Sequence, residues 1–212
     1  GTPEGTWMVL AAPSTSMSHP FWTLTAAADL VFFHARLRAD DDEIWRSDGT
    51  AGGTFRVKTL VRQWRSSSLA SLGKEVLFFG ADATSDFGLW RCDGTPNGAM
   101  LLEELCPPFC NYYPEFLGEI EGSVLFIAGD GDEGGVLWKT DGTPEGTLPI
   151  TEVPPLKQDP YATWWEQKQE AVTVGQAAYF VGEDPQSGIE LWRTDGTAEG
   201  TALVKDIWPG PS

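Results

Sequence analysis

An eleven-residue motif occurs four times in this chain, and its copies align without gaps. They read IWRSDGTAGGT, LWRCDGTPNGA, LWKTDGTPEGT and LWRTDGTAEGT, at residues 44–54, 89–99, 137–147 and 191–201. The opening residues, GTPEGT, repeat the end of the motif once more. Successive copies of the glycine in DGT lie 48, 45, 48 and 54 residues apart, at Gly1, Gly49, Gly94, Gly142 and Gly196. A repeat of roughly 40–50 residues that is rich in β-formers is typical of the blades of a β-propeller.

Each repeat contains enough β-forming sequence for four strands. In the third repeat, PEFLGEIEG predicts a first strand and turn, SVLFIAGD a second strand, VLWKTDG a third and TLPITEV a fourth. The other repeats follow the same order, and none shows helical periodicity. We therefore expect one domain over residues 1–212, with repeat units near 13–60, 61–105, 106–153 and 154–207 and an extra strand from a partial repeat at 1–12.

The second strand of each repeat is apolar on both of its faces. Because side chains alternate along a strand, Val124 and Phe126 point to one face, whereas Leu125 and Ile127 point to the other. Such a sheet must be covered on both sides, as neighbouring blades do in a propeller. We predict an all-β fold, a β-propeller of four four-stranded antiparallel blades, with five blades as the second count. A β-sandwich and an open stack of sheets are the alternative architectures.

The full motif, IELWRTDGTAEGTALVKDIWPG at residues 189–210, resembles the ELWxxDGTxxGT repeats of bacterial secreted and surface-associated proteins. The resemblance extends over the whole chain. It implies a β-propeller-like fold and a secreted, periplasmic or cell-surface location, and it implies little about chemistry. The second repeat departs from the pattern, because Cys92 replaces the usual Ser or Thr and Ala99 replaces the final Thr.

The repeated residues of the motif are best explained by architecture. We expect the tryptophans to pack between blades; a ring of sugar-stacking sites is the functional alternative. The basic residue after each Trp points to the other face of the strand, and we expect it to pair with an acid of the adjacent repeat or to stack on an aromatic ring. An aspartate before glycine is typical of hairpin turns, in which the carboxylate accepts hydrogen bonds from nearby amides. These structural positions are Trp45, Trp90, Trp138 and Trp192 together with Asp48, Asp93, Asp141 and Asp195.

The chain is strongly acidic, with 31 Asp and Glu against 14 Lys and Arg and a formal net charge of −17. Such a surface repels phosphate backbones, so we expect no nucleic-acid partner. No apolar run reaches the roughly 18 residues that span a bilayer, so no transmembrane segment is expected. Cys106 and Cys110 lie close enough in the sequence to form a disulfide that closes a small loop. Two free thiols are the alternative. With two histidines in the chain, a zinc site is disfavoured.

In an antiparallel meander, alternate loops lie at the same end of the sheet. The loops that differ between the repeats therefore lie at the opposite end of each sheet from the DGTxxGT turns. Variable loops on a rigid scaffold often carry binding sites. Their carboxylates and aromatic rings suit a glycan, a cation or a basic protein surface. A solvated acidic rim, with the aromatic rings folded into the edge of the core, is the structural alternative. The aromatic candidates for ligand binding are Trp22, Trp64, Tyr112, Tyr113, Trp164 and Trp165.

Among the acidic loops, AGDGDEGG is the best calcium candidate, since its carboxylates alternate with glycines. It matches no complete calcium-loop signature. Its candidate ligands are Asp130, Asp132 and Glu133. The other acidic loops contain Asp40, Asp41, Asp42 and Glu43, then Asp82 and Asp86, then Glu183 and Asp184. We expect no cofactor other than calcium.

No catalytic constellation is recognisable in the sequence. The motifs G-x-S-x-G, H-E-x-x-H, G-x-G-x-x-G and the P-loop do not occur in an appropriate context, and two isolated histidines leave little for a catalytic triad. We predict no catalytic residues and a non-enzymatic protein that binds protein partners, as an interaction module or as a subunit of a larger extracellular or surface assembly. A lectin-like, calcium-assisted domain that binds a glycan is the alternative. A glycosidase-like enzyme is the third candidate: so many acids could include a catalytic pair of carboxylates, but nothing in the sequence singles one out.

Overall fold

The computed structural model of this 212-residue chain describes residue 8 and residues 21–36, 41–61, 68–106, 114–129, 135–153, 171–184 and 186–210. These residues form sixteen β-strands, and no helix occurs among them. In chain order the strands are β1 (Phe21–Ala27), β2 (Leu30–Ala35), β3 (Asp41–Ser47), β4 (Phe55–Val61), β5 (Leu69–Leu72), β6 (Glu75–Gly80), β7 (Phe87–Cys92), β8 (Ala99–Cys106), β9 (Glu115–Ile120), β10 (Ser123–Gly129), β11 (Gly135–Thr140), β12 (Leu148–Val153), β13 (Ala171–Val174), β14 (Ala177–Asp184), β15 (Gly188–Thr194) and β16 (Ala202–Lys205).

The sixteen strands form four sheets, each made of four consecutive strands that pair in chain order. We number them sheet 1 (β1–β4), sheet 2 (β5–β8), sheet 3 (β9–β12) and sheet 4 (β13–β16). The predicted all-β fold is confirmed, and the four antiparallel four-stranded sheets are the blades of a β-propeller fold. In the part of the chain that is described, no helix has the length and apolarity needed to cross a membrane.

A break in register accompanies the motif tryptophan in three of the sheets. It falls between Ile44 and Trp45 in sheet 1, and the equivalent breaks precede Trp138 and Trp192. At each break the fourth strand carries one extra residue, as in a β-bulge, which increases the local twist and re-aims nearby side chains. The extra residues are Val57, Ile150 and Val204.

Each sheet has two faces, because neighbouring side chains along a strand point in opposite directions. We call the face that carries the motif tryptophan the tryptophan face and the other one the reverse face. In the second strand, the residue directly opposite the tryptophan is a phenylalanine: Phe33 faces Trp45, Phe126 faces Trp138 and Phe180 faces Trp192. This pair, together with the stacked Phe78 and Trp90 in sheet 2, identifies equivalent positions in all the sheets.

The chain divides into two compact units, the first comprising Gly1–Ser85 and Leu89–Leu101 and the second Asp86–Gly88 and Leu102–Ser212. In the first unit, the reverse face of sheet 1 packs on the tryptophan face of sheet 2. Burying one large apolar side chain between two sheets stabilises the fold by about 1.5–3 kcal/mol. The buried core contains Ala27, Phe32, Ile44, Val57 and Leu60 from sheet 1, and Val76, Phe78, Trp90 and Cys92 from sheet 2.

The second unit repeats this arrangement with sheets 3 and 4. The reverse face of sheet 3 packs on the tryptophan face of sheet 4, and Trp192 is partly buried against the cluster. Its buried core contains Leu117, Ile120, Leu125, Ile127 and Leu137 from sheet 3, and Ala178 and Phe180 from sheet 4. Within each unit, then, two sheets meet through the same pair of faces.

Candidate functional site

The DGTxxGT turns connect the third and fourth strands of each sheet and are organised around their aspartate. In sheet 1, Asp48 Oδ1 accepts hydrogen bonds from the backbone amide of Thr50 at 2.9 Å and from its hydroxyl at 2.7 Å. The Thr50 hydroxyl in turn accepts a hydrogen bond from Gly53 N at 2.9 Å. The hydroxyl of Thr54 donates to Thr50 O at 2.6 Å. The aspartate and both threonines are thus used inside the turn.

The two glycines of the motif follow from the same geometry. Gly49 has a φ of +87°, in the left-handed region that favours glycine. A Cβ atom on Gly53 would lie 1.9 Å from Asp48 Oδ2, which no real contact allows. The turns of sheets 3 and 4 repeat this geometry around Asp141 and Asp195. The motif is therefore a self-contained turn.

A pair of hydroxyls closes the base of three of the turns. Ser47 Oγ and Thr54 Oγ1 lie 2.7 Å apart, and sheets 3 and 4 have two threonines in these places. In sheet 2 both partners differ: Gly94 N donates to Cys92 Sγ at 3.3 Å, and Ala99 has no hydroxyl. Replacing both partners of a hydrogen bond is nearly neutral, whereas replacing one leaves a polar group unsatisfied. The two departures of the second repeat thus compensate each other.

The ionisation of the turn aspartates matches a structural role. Hydrogen bonds from the hydroxyl and amide of Thr50 hold the pKa of Asp48 below its ordinary value, and the equivalent threonines lower the pKa of Asp93, Asp141 and Asp195. General acids at neutral pH need the opposite shift. Across the described residues, no group of three or more His, Cys, Asp or Glu is placed to hold a metal ion.

Three of the motif tryptophans stack on the phenylalanine of their own second strand. The stacked pairs are Phe33–Trp45, Phe78–Trp90 and Phe126–Trp138, with ring centroids 6.3, 6.3 and 5.9 Å apart. Such pairs are worth about 0.5–1.5 kcal/mol beyond the area they bury. Trp90 and Trp192 also pack against the preceding sheet of their unit, which is the packing between blades expected of them.

Trp90 is enclosed by groups from both sheets of the first unit. Its Nε1 donates to Gly80 O at 2.9 Å, and Lys58 Nζ lies 3.8 Å from the centroid of its ring. The same ammonium group lies 2.5 Å from Asp82 Oδ2. Because Lys58 belongs to sheet 1, whereas Trp90 and Asp82 belong to sheet 2 and its β6–β7 loop, this cation joins the two sheets.

The motif cations have the predicted kinds of partner, but in their own sheet. The Arg46 guanidinium lies 4.4 Å from the centroid of the Phe55 ring, and Arg91 Nη1 lies 3.3 Å from Glu75 Oε2. The expected stacking on an aromatic ring is confirmed for Arg46, whereas Arg91 pairs with an acid of its own repeat rather than of the adjacent one. Strand register favours the partner of Arg46, because Phe55 lies directly opposite it on the next strand.

Two acids of the predicted RADDDE loop are not part of a solvated rim. Glu43 is buried, and its carboxylate accepts hydrogen bonds from Trp45 Nε1 at 3.0 Å and from Arg56 Nη1 at 2.7 Å. Asp42 is also buried and pairs with Arg36 at 2.6 Å. Each buried carboxylate thus has a cation beside it, which offsets its loss of hydration.

Asp82, from the predicted GADATSD loop, holds that loop together. Its Oδ1 accepts hydrogen bonds from the amides and the hydroxyls of both Thr84 and Ser85, at 2.8–3.0 Å. Burial opposes ionisation of this carboxyl, but the hydrogen bonds from Lys58, Thr84 and Ser85 outweigh it and hold the pKa far below its ordinary value. Asp82 is therefore an ionised structural group.

Most of the predicted ligand-binding residues lie outside the described residues. Trp22 lies in β1, and its side chain is not described. The other aromatic candidates (Trp64, Tyr112, Tyr113, Trp164 and Trp165) and the calcium candidates (Asp130, Asp132 and Glu133) fall outside the described ranges, as do Cys110 and the side chain of Cys106.

A short segment after β16 has features that the sequence analysis did not single out as a site. The side chain of Trp208 is 83% exposed, and that of Ile207 beside it is also exposed. The Trp208 amide donates to Glu190 Oε1 at 2.8 Å, and Glu190 itself is buried. Glu190 precedes Trp192 by two residues, as Glu43 precedes Trp45. The glutamate two residues before the motif tryptophan was therefore the sequence feature that could have pointed to this segment.

No protein-family model and no curated protein matches this sequence. Solved structures do resemble the fold. A puromycin-hydrolyzing peptidase of Mycobacterium tuberculosis matches with a TM-score of 0.56 and 12% identity, over 91% of this chain and 30% of that one. An oligogalacturonate lyase in complex with manganese matches with a TM-score of 0.53 and 11% identity, over 89% of this chain and 54% of that one. The β-propeller domain of the Trilobed protease from Pyrococcus furiosus matches with a TM-score of 0.45 and 14% identity, over 89% and 72%.

The two likenesses with TM-scores above 0.5 show the fold alone, because the sequences share so little identity. This chain spans less than a third of the length of the puromycin hydrolases it resembles, 28% in one structure and 30% in another.

Proposed function

We propose that this protein is a non-enzymatic protein-interaction module that works outside the cytoplasm, as part of a larger extracellular or surface assembly. The observation that carries the proposal is the exposed pair Ile207 and Trp208, whose backbone the buried Glu190 carboxylate holds in place. Tryptophan is enriched among the residues that dominate binding energy. A backbone that is already ordered lowers the entropy cost of association.

Three of the described carboxylates have structural partners, which disfavours them as catalytic groups. Glu43 and Asp82 each face a cation and hold structural elements together, and Glu190 fixes the Trp208 backbone. A catalytic acid or base instead needs access to a substrate proton and a pKa near the working pH. The extracellular location rests on the resemblance to ELWxxDGTxxGT repeat proteins.

The chemistry of the partner follows from that of the exposed pair and of the whole chain. An indole of this exposure fits an apolar pocket on the partner. The net charge of −17 favours a partner with basic residues around that pocket, because complementary potentials speed encounter and disfavour wrong partners.

The test compares Trp208→Ala with Leu148→Ala, a substitution of another exposed apolar residue, on β12. Tagged chains are expressed in the source organism, crosslinked in intact cells, purified and quantified by mass spectrometry. We expect one partner at fixed stoichiometry with the wild type and with Leu148→Ala, and at least a roughly tenfold lower recovery with Trp208→Ala. Equal recovery by Trp208→Ala contradicts the proposal, as does the lack of any stoichiometric partner.

Carbohydrate binding is a second candidate, favoured by the same exposed indole, since a flat apolar ring is also a stacking platform. Calcium bound by Asp130, Asp132 and Glu133 would belong to this function. The test is a glycan array probed in calcium and in chelator. We expect retention of specific glycans that is lost with Trp208→Ala and weakened by the chelator. An array to which the wild type does not bind contradicts this candidate.

A further inference from the structure

The two units show how sheets of this repeat recognise each other. In each unit, the reverse face of one sheet covers the tryptophan face of the next sheet in the chain. The contact is directional, because the two faces that meet differ in sequence. Any further sheet of this repeat has the same two faces. Its tryptophan face can pack on the outer reverse face of such a pair, and its reverse face can pack on the outer tryptophan face.

On the tryptophan face of sheet 1, two apolar side chains of β1 and β2 are exposed. Leu24 is 70% exposed and Val31 is 39% exposed. Their equivalents in sheet 2, as defined by register against the motif phenylalanine, are Leu69 and Val76. Val76 is fully buried and Leu69 packs against the core of the first unit. Sheet 1 thus presents to solvent two apolar side chains whose counterparts in sheet 2 pack in a core.

The reverse face of sheet 4 shows the complementary situation. Val174 is 62% exposed, whereas its equivalent Ala27 in sheet 1 is 2% exposed. Val204, the extra residue of the bulge, is 47% exposed, whereas its equivalent Val57 is 6% exposed. Val172 on the same face is exposed as well. Sheet 4 therefore presents an apolar surface at positions that form a core in sheet 1.

We propose that the reverse face of sheet 4 in one copy of this chain packs on the tryptophan face of sheet 1 in a second copy, head to tail. The occupant is a second copy because these two faces are the pair that the protein already joins twice, once in each unit. A contact between two different faces of the same chain is heterologous, so it generates either a closed ring of copies or an open filament. This contact goes beyond the proposed function and does not involve Trp208.

The size of the faces sets the concentration at which association is expected. Strands lie about 4.8 Å apart and rise about 3.3 Å per residue, so four strands of six residues cover roughly 19 by 20 Å. That is smaller than the about 800 Å² that each partner contributes to a standard stable complex. The association is accordingly weak, in the range of about 10–100 µM, and must be measured up to several hundred µM.

The first experiment is sedimentation velocity of the full chain over that concentration range. We expect a concentration-dependent shift to dimers and larger species. Leu24→Asp and Val174→Asp, one on each proposed face, are expected to weaken self-association at least about tenfold, because each places a charge in an apolar contact. Leu148→Asp, which places the same charge on an exposed apolar position of β12, is the matched control and retains it. Circular dichroism verifies that each variant is folded.

The second experiment tests the direction of the contact. In the first unit the Thr25 hydroxyl donates to Leu69 O at 3.2 Å, and the equivalents of these residues in the proposed contact are Val172 and Leu24. Leu24→Cys and Val172→Cys are made in separate chains in which Ser replaces Cys106 and Cys110. A short thiol crosslinker should give a crosslinked dimer when the two chains are mixed, and none with either chain alone.

Three results overturn the proposal: a wild type that stays monomeric at every concentration, unchanged association in Leu24→Asp or Val174→Asp, or crosslinked dimers of a single cysteine variant by itself. Trp208→Ala is expected to self-associate like the wild type. Loss of a cellular partner in that variant with intact self-association therefore separates this contact from the proposed function.

Discussion

The two glycines of each DGTxxGT turn serve different physical purposes. Gly49 takes a positive φ that reverses the chain, whereas Gly53 leaves room for the Asp48 carboxylate. In the sequence motif the two glycines look equivalent. Their substitution costs differ in origin, and the loop around Gly53 supplies a control, since a Cβ atom on Gly52 would have no atom within 4 Å.

The first prediction compares Gly53→Ala with Gly52→Ala. Gly53→Ala must displace the Asp48 carboxylate from its hydrogen bonds with Thr50, so we expect a loss of about 1–3 kcal/mol in the free energy of unfolding. Gly52→Ala lowers the entropy of the unfolded chain and is expected to be neutral or stabilising by less than about 1 kcal/mol. Urea unfolding measures both. Equal effects of the two substitutions would show that Asp48 is not what excludes a side chain at residue 53.

The second prediction concerns His34, a buried histidine of β2. Burial lowers its pKa from 6.5 to about 4, while Asp42 raises it and Arg36 lowers it. Between pH 4 and 6.5 the unfolded chain therefore binds a proton that the folded chain does not, so the free energy of unfolding rises with pH over this window. The slope from one group is at most about 1.4 kcal/mol per pH unit.

Urea unfolding at a series of pH values tests this dependence. His34→Gln should flatten the curve between pH 4 and 6.5, whereas His19→Gln, which removes the other histidine, should leave it steep. A curve that is equally steep without His34 would assign the titration to other groups.

The sequence predicts the roles of the motif residues better than the roles of the acids. The turn aspartates act inside their own loop, so the residues next to Asp48 in the sequence are enough to explain its role. Glu43 depends on Arg56, a strand away, and Asp82 depends on Lys58 in another sheet. A carboxylate is exposed or buried according to such distant partners, which a local pattern does not contain.

At the scale of elements, periodicity is sufficient for the strands and for their two faces. Alternation along SVLFIAG predicted a strand that is apolar on both sides, and every residue of β10 from Val124 to Gly129 is buried. The partner across the sheet was not predictable to the same degree. Arg46 meets Phe55 because of strand register, and register is set by turns and bulges that a period does not specify.

The third prediction tests the cation that links sheets 1 and 2. Lys58→Met keeps an unbranched side chain over Trp90 but removes the charge beside Asp82, so we expect a loss of about 1–3 kcal/mol in the free energy of unfolding. Asp82→Asn is destabilising as well. If the two groups interact, the double variant loses less than the sum, by about 0.5–3 kcal/mol.

The control for this cycle is Lys74→Met, which removes an exposed lysine from the β5–β6 turn. It should change the free energy of unfolding by less than about 0.5 kcal/mol. Strict additivity of Lys58→Met and Asp82→Asn would mean that the ion pair does not hold the sheets together.

At the scale of the whole molecule, two properties oppose each other. The net charge of −17 makes copies repel, whereas the exposed faces of sheets 1 and 4 bring apolar surface into contact with water. Charge was readable from composition alone. The exposed faces were not, because Val174 and Val204 occupy repeat positions whose equivalents are buried, and only the three-dimensional arrangement distinguishes them.

The fourth prediction follows from that opposition. Raising NaCl from 0.1 M to 1 M shortens the Debye length from about 10 Å to about 3 Å, which removes most of the repulsion between copies. Burial of apolar side chains does not depend on charge, so self-association should strengthen with salt. Sedimentation velocity at the two salt concentrations measures this, with Val174→Asp as the control that associates at least about tenfold more weakly than the wild type. Association that weakens with salt would instead indicate contacts between opposite charges, and the apolar faces of sheets 1 and 4 would then not be what joins the copies.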